Sequence, residues 1–177
     1  MKHEVYFLQA ANGGPIKIGT SGWLTHRASS FQGWLPGGVD LIASIPGDTF
    51  REAALKWALR DESISGEWVR SCPKAWRLIL DAIDHGDLRW LPHPQPTLLG
   101  KGMGLQLMDG WEASFGGRAA CAAALGYSAK RWTQVRSGCS WRVSPGVWGR
   151  WAIASAERAG NLPSYLARQP QPQQDAA

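Results

Sequence analysis

The chain has 177 residues, a length that allows one medium domain or two small ones. Hydrophobic residues make up 44% and charged residues 19%, the balance of a globular protein, which excludes an intrinsically disordered one. The net charge of +5 is unevenly distributed, because residues 1–99 carry ten basic and ten acidic side chains whereas residues 100–177 carry nine basic and four acidic ones. A basic segment joined to a neutral one indicates a polyanionic partner, although a solvated basic surface would give the same counts.

The cysteines and the hydropathy of the chain bear on where the protein works. Cys72, Cys121 and Cys139 form no C-x-x-C pair and are odd in number, so we expect neither a disulfide framework nor a zinc site. The first residues, MKHEVYFLQAANGG, are too short and too polar for a secretory signal. No apolar run approaches the roughly 18 residues of a membrane span. Together these features favour a reducing, cytoplasmic location with no membrane partner.

Residues 1–90 have the pattern of a small mixed α/β domain. Two short apolar runs, VYFLQA and IKIG, flank the turn cluster Asn12-Gly13-Gly14-Pro15 and predict a β-hairpin. A helix is predicted from about Trp23 to Gln32, a strand over VDLIASIP, and a second helix from about Phe50 to Arg60. The order is β-β-α-β-α, and a further helix is predicted over about Pro73 to Ile83, with proline in its first turn.

The second part of the chain has a helical pattern. Residues 91–99 hold three prolines and predict a stiff linker, and the Gln/Pro-rich residues 169–177 predict a disordered tail. Between them, residues 100–168 predict four helices, over about Leu105–Phe115, Arg118–Leu125, Ala129–Ser137 and Pro145–Ala159. The predicted fold class is therefore α+β, with an α/β domain followed by an all-α domain.

Four polar side chains of the first domain stand in short motifs. Tyr6 lies in Val-Tyr-Phe, Lys17 in Lys-Ile-Gly, Arg27 in the first predicted helix, and Glu67 in Gly-Glu-Trp-Val. This arrangement, over about 65 residues from Glu4 to Val69, resembles the GIY-YIG nuclease superfamily, in the phage and bacterial branch where lysine replaces the second motif tyrosine. The resemblance implies a GIY-YIG fold, cleavage of DNA, and catalytic roles for these four residues.

The sequence departs from the family pattern at two positions. Lys56 stands on the second predicted helix where the family often has histidine, and this change bears on DNA binding or on the surroundings of the metal. Val69 replaces the family phenylalanine, a change of volume at an apolar position that the fold should tolerate.

The four residue types also suit phosphodiester hydrolysis on chemical grounds. Arg27 offers a planar fork of donors to a phosphate. Glu67, with water and phosphate oxygens, suits Mg²⁺ or Mn²⁺, because Mg²⁺ keeps much of its water shell. Lys17 is expected to lower the pKa of Tyr6, so that the tyrosine can act as a base. Packing and solvation explain each residue taken singly, and only the combination points to catalysis.

Residues 118–137 match the pattern of a helix-turn-helix motif. Ala122 falls where two helices cross closely, Gly126 falls at a turn that needs positive φ, and Trp132 and Val135 face the core. The match resembles the phage-repressor class, which makes the second helix of the pair the recognition helix. The alternative is an ordinary helical hairpin with a basic face. The DNA-binding side chains expected from the resemblance are Ser128, Lys130, Arg131, Thr133, Gln134 and Arg136, with Arg142 adding a phosphate contact.

Three functions fit this sequence. The first is a metal-dependent DNA endonuclease that its helix-turn-helix domain delivers to DNA. The second is a DNA-binding transcriptional regulator of phage or mobile-element type whose GIY-YIG fold does not cut. The third is an RNA-binding protein, because basic charge does not distinguish the nucleic acids. Glu67 favours the enzyme, since a non-cutting copy has no reason to keep this carboxylate. Lys56, at a position where the family often has histidine, slightly favours the non-cutting regulator. The expected cofactor is Mg²⁺ or Mn²⁺, the expected partner is DNA, and a homodimer is left open.

Overall fold

The computed structural model describes residues 3–32, 35, 37–85, 90–91, 102–139 and 143–167. Within these ranges the chain forms a five-stranded antiparallel sheet and seven α-helices, which confirms the predicted α+β class. Except for Leu91, the predicted linker 91–99 lies outside the described residues, as does the predicted tail 169–177.

The sheet has the strand order β3-β1-β2-β5-β4. Its first hairpin reverses at Asn12 and Gly13, which both adopt positive φ (60° and 72°), as a tight turn between antiparallel strands requires. The second hairpin, β4 and β5, was not predicted, because strands of three and two residues are too short to show an alternating pattern. The strands are β1 Glu4–Ala10, β2 Ile16–Ser21, β3 Val39–Pro46, β4 Ser63–Ser65 and β5 Trp68–Val69.

Every predicted helix is present, with ends that differ from the prediction by at most two residues. A 3₁₀ turn over Arg60–Glu62 follows the second helix and leads into β4. No helix in the part of the chain that the structure describes is both long and apolar enough to cross a membrane. The helices are α1 Leu24–Gln32, α2 Thr49–Ala58, α3 Pro73–His85, α4 Met103–Ser114, α5 Arg118–Ala124, α6 Ala129–Gly138 and α7 Pro145–Arg158.

The two faces of the sheet are covered by different helices. Alternate residues of a strand point to opposite faces, so Val5 and Phe7 of β1 join a large core with residues of α2 and α3. Tyr6 and Leu8 face the other way and pack with Phe31 of α1 in a smaller cluster. The face under α1 therefore holds the motif tyrosine.

The C-terminal helices pack directly on the first part of the chain. Helix α7 lies against α2 and approaches it closely at Gly149, since a Cβ atom there would lie 2.8 Å from the backbone of Ala53 and Ala54. Beside this contact Phe50 and Trp148 meet edge to face, with ring centroids 5.7 Å apart. A single hydrophobic core thus extends from the sheet through α2 into the C-terminal helices.

Candidate functional site

Tyr6 and Arg27 meet on the sheet face that α1 covers. Tyr6 is buried opposite Gly19, its antiparallel partner in β2. A Cβ atom at position 19 would lie 2.5 Å from the Tyr6 hydroxyl, so only glycine leaves room for this ring. The Arg27 side chain extends from α1 to within hydrogen-bonding reach of the same hydroxyl. The strand and the helix thus place a phenol and a guanidinium side by side.

Lys17 and Glu67 form an ion pair next to this position. The Lys17 side chain is buried, and its ammonium donates a hydrogen bond to Oε2 of Glu67. The same Nζ lies 5.0 Å from the ring centroid of Phe31 and 5.7 Å from that of Trp68. The Lys17 ammonium therefore makes cation–π contacts with two rings in addition to its ion pair with Glu67. Its side chain is therefore fixed with the positive charge against Glu67.

Glu67 stands in the tight turn between β4 and β5. Gly66, immediately before it, has φ of +55°, a left-handed conformation that glycine adopts without cost. The backbone carbonyl of Glu67 accepts a hydrogen bond of 3.0 Å from the amide of Ile18, which joins the turn to β2. Its side chain is 42% exposed, and Oε1 lies 3.6 Å from Nζ of Lys56. One carboxylate oxygen is therefore bound by Lys17, while the other faces Lys56 and solvent.

A second carboxylate, Glu52 of α2, belongs to the same network and was not singled out from the sequence. Its Oε1 lies 2.6 Å from Nζ of Lys56, and its Oε2 accepts a hydrogen bond from the hydroxyl of Thr20. The Glu52–Lys56 spacing of four residues on a predicted helix was the available signal. The sequence offered no such signal for Thr20.

The electrostatics of Tyr6 differ from the expectation. Burial raises the pKa of Tyr6 above its ordinary value, and the nearby carboxylates of Glu67 and Glu52 act in the same direction. Arg27 is the cation that opposes this shift. The expectation that Lys17 lowers the pKa of Tyr6 was wrong, because the Lys17 ammonium is bound to Glu67 and the net shift is upward.

The pKa of Glu67 is shifted in the opposite direction. Burial alone would raise the pKa of its carboxyl group, but the hydrogen bond and charge of Lys17, together with the charge of Lys56, outweigh burial and hold the pKa below its usual value. Glu67 is therefore a carboxylate at neutral pH, which is the form that binds a cation.

The donor set on this face suits a hard cation that keeps its water. The residues that the structure describes contain no group of three or more His, Cys, Asp or Glu side chains that could hold a metal ion. What they offer is Oε1 of Glu67, on a half-exposed side chain, with the Lys56 ammonium 3.6 Å away as its neighbour. One carboxylate oxygen open to water fits Mg²⁺ or Mn²⁺, whereas a zinc ion would need a more complete set of protein ligands.

In the C-terminal part, α5 and α6 meet at a tight turn. Gly126 has φ of +71°, and Tyr127 donates its amide to the carbonyl of Ala122 at 2.8 Å. Ala122 and Trp132 are buried, as the pattern predicted. The Ser128 hydroxyl caps α6 by accepting the amide of Arg131 at 3.2 Å. The turn geometry and the buried positions thus agree with the spacing in the sequence.

Most of the predicted DNA-binding side chains lie on an exposed face of α6, but Arg136 does not. Arg136 is only 14% exposed, and its Nη2 lies 2.7 Å from Oδ1 of Asp109. Its Nη1 lies 3.0 Å from Oε1 of Glu112, without the alignment of a hydrogen bond. The expectation that Arg136 projects outward was wrong, because two acidic residues of α4 hold it against the helix pair. Arg142 lies outside the described residues. The exposed members of the predicted set are Ser128, Lys130, Arg131, Thr133 and Gln134.

Glu112 is the centre of this structural network. Its carboxylate is buried and accepts a hydrogen bond of 2.7 Å from the indole of Trp132. Nε of Arg118 lies 3.3 Å from Oε1 of Glu112, and Nη1 of Arg136 lies 3.0 Å from the same oxygen, so two guanidinium groups pair with this carboxylate. Of the nine basic residues after position 99, Arg136 therefore stabilises the helix pair rather than adds to a free basic surface, whereas the Arg118 side chain pairs with Glu112 and stays 56% exposed.

Comparisons with protein-family models, with curated proteins and with solved structures find no match for this chain. The function therefore has to be inferred from the site itself.

Proposed function

We propose that this protein is a DNA endonuclease of the GIY-YIG type, which hydrolyses phosphodiester bonds with Mg²⁺ or Mn²⁺. The observation that carries the proposal is the convergence of four chemically suitable side chains from separate elements. Tyr6 comes from β1, Lys17 from β2, Arg27 from α1 and Glu67 from the β4–β5 turn. Contacts link Tyr6 to Arg27 and Lys17 to Glu67, and the Glu67 charge acts on Tyr6. Such a cluster has the parts that phosphodiester hydrolysis needs.

Each residue has a distinct task in this proposal. Arg27 is the exposed cation of the four, and its guanidinium binds the phosphate. Tyr6 acts in its ionised form, in which the phenolate oxygen accepts a proton from the attacking water, and Arg27 stabilises that phenolate against the burial that raises the pKa of Tyr6. Glu67 holds the divalent cation, and Lys17 fixes the orientation of that carboxylate. When bound there, the cation supplies positive charge against the negative charge that develops on the phosphate.

The exposed face of α6 is the proposed DNA-contacting surface, in a helix-turn-helix arrangement. Lys130 and Arg131 supply positive charge there, and Thr133 and Gln134 supply groups that can bond base edges. The surplus of basic residues after position 99 supports this assignment. The cytoplasmic location stays a prediction, and a homodimer stays open.

The test is cleavage of supercoiled plasmid DNA with Mg²⁺, with Mn²⁺ and with EDTA. We expect nicking or linearisation with either metal and none with EDTA. Glu67→Gln should abolish cleavage while DNA binding survives, and Glu157→Gln, an exposed glutamate of α7, is the matched control. Cleavage by Glu67→Gln at the parental rate would show that the carboxylate assignment is wrong.

One observation favours a second candidate, a DNA-binding transcriptional regulator of phage or mobile-element type whose fold does not cut. Both oxygens of Glu67 face ammonium groups, from Lys17 and Lys56, and these compete with a metal ion. Under this alternative the wild-type protein binds duplex DNA but leaves the plasmid intact with either metal. Preferential binding of RNA of the same length would instead indicate an RNA-binding protein.

A further inference from the structure

Lys56 lies between two carboxylates and is closer to the one that is not the proposed metal ligand. Its Nζ lies 2.6 Å from Oε1 of Glu52 and 3.6 Å from Oε1 of Glu67. The first distance is that of a strong, charge-assisted hydrogen bond, and the second is that of an ion pair without one. The ammonium group is therefore held mainly by Glu52.

Glu52 is well suited to hold a cation in place. Its side chain is only 11% exposed, and a carboxylate that has lost most of its water needs partners for both oxygens. Thr20 of β2 satisfies Oε2 and Lys56 satisfies Oε1. Because Thr20 belongs to the sheet and Glu52 to α2, the carboxylate is fixed from two elements. The Lys56 side chain is 30% exposed, so its ammonium is less enclosed than the Glu52 carboxylate that holds it.

We propose that Glu52 is a positioning residue that draws the Lys56 ammonium away from Glu67 and so leaves Oε1 of Glu67 open to a divalent cation. This inference rests on the proposed function, because it takes Glu67 as the metal ligand. Without the Glu52 charge, the nearest carboxylate left to Lys56 is Glu67. The Lys56 ammonium then binds Oε1 of Glu67, which is the oxygen that the cation needs.

The readout is Mn²⁺ binding to the full-length protein without DNA, measured by the paramagnetic broadening of the Trp68 indole N–H signal. One unit of positive charge next to a divalent ion repels it, and water at this half-exposed site screens the repulsion. Removing that charge is expected to change the affinity of the protein for the ion by about tenfold. Lys56→Met should therefore tighten Mn²⁺ binding by about tenfold. Glu52→Gln, which keeps the size of the side chain, should weaken it by about tenfold.

The double variant separates positioning from direct ligation. In the Lys56→Met background, Glu52→Gln should weaken Mn²⁺ binding by clearly less than it does in the parent, because only the direct attraction of the more distant Glu52 charge is then lost. Thr20→Val should weaken binding and Thr20→Ser should restore it, since serine keeps the hydroxyl that fixes Glu52. Circular dichroism spectra that match the parent show that the variants are folded.

Two results would overturn the proposal in distinguishable ways. If Glu52→Gln weakens Mn²⁺ binding equally with and without Lys56, Glu52 acts on the cation itself and its positioning role is excluded. If Glu67→Gln binds Mn²⁺ as tightly as the parent, the metal assignment of the proposed function fails, and this inference fails with it.

Discussion

Replacing Gly149 by alanine is expected to destabilise the protein, although alanine is the better helix former. The added Cβ atom would lie 2.8 Å from the backbone of Ala53 and Ala54, 0.6 Å short of the 3.4 Å at which ordinary contact begins. Both partners are helix backbones, so neither can move away as a flexible side chain would. Overpacking of this kind costs about 2–3 kcal/mol, and the helix propensity of alanine offsets about 1 kcal/mol of it. The expected net loss is about 1–2 kcal/mol.

The measurement is urea unfolding followed by tryptophan fluorescence, with Trp148 buried beside the substituted position. A loss of this size should lower the melting temperature by about 3–6 °C in a chain of this length. Gly110→Ala is the matched control, because this glycine lies inside α4 with nothing within 4 Å of the added atom, and it should stabilise by about 0.5–1 kcal/mol. A Gly149→Ala variant as stable as the parent would refute direct backbone packing between α2 and α7.

Three further predictions concern single side chains. Tyr6→Phe should fold normally and lower the cleavage rate by roughly 100-fold. Because burial raises the pKa of Tyr6 above its ordinary value, the wild-type rate should still be rising with pH in the alkaline range of a pH–rate profile, and this rise should be absent from the variant. Arg131→Ala should weaken DNA binding in a salt titration and leave stability unchanged, whereas Arg136→Ala should cost about 2 kcal/mol in urea unfolding, because it leaves two carboxylates of α4 without this partner. Tyr165 donates a hydrogen bond of 3.0 Å to Asp81, which, together with burial, raises the pKa of Tyr165. An unfolded tyrosine ionises near pH 10, so the stability advantage of the wild type over Tyr165→Phe should be present below about pH 10 and decrease above it in thermal unfolding.

Local pattern was enough to predict most of the secondary structure. The hairpin of β1 and β2 is encoded by two apolar runs and by turn residues that accept positive φ. Helix α7 begins at Pro145 after the capping residue Ser144, and both features can be read directly from the sequence. The packing of α7 on α2 could not be predicted, because it depends on the fit of Gly149 against Ala53, which are distant in sequence. No local period encodes that contact.

The candidate site shows the same division between local and tertiary information. Motif spacing indicated Tyr6 and Glu67, since the spacing reflects strand and turn positions. It did not show that Arg27, rather than Lys17, is the cation beside Tyr6. Which side chains meet depends on the directions in which they extend across the sheet, and motif spacing does not encode those directions. Arg136 was assigned to DNA for a similar reason. Its helical position is close to the exposed face, and only the neighbouring helix α4 shows that acidic groups hold it.

The contact between α2 and α7 has a consequence for building chimeras. Helix α2 carries Lys56 toward Glu67 and, on another side, packs its Ala53 backbone against Gly149. Exchanging residues 100–168 for a different segment would uncover that side of α2 and leave Phe50 without its partner Trp148. A folded chimera therefore has to retain α7 with the first part of the chain, or replace the uncovered apolar residues of α2 by polar ones. A junction between α6 and α7 would spare the contact with α2 but would uncover Trp151, which stacks on Trp111 of α4 with ring centroids 4.8 Å apart.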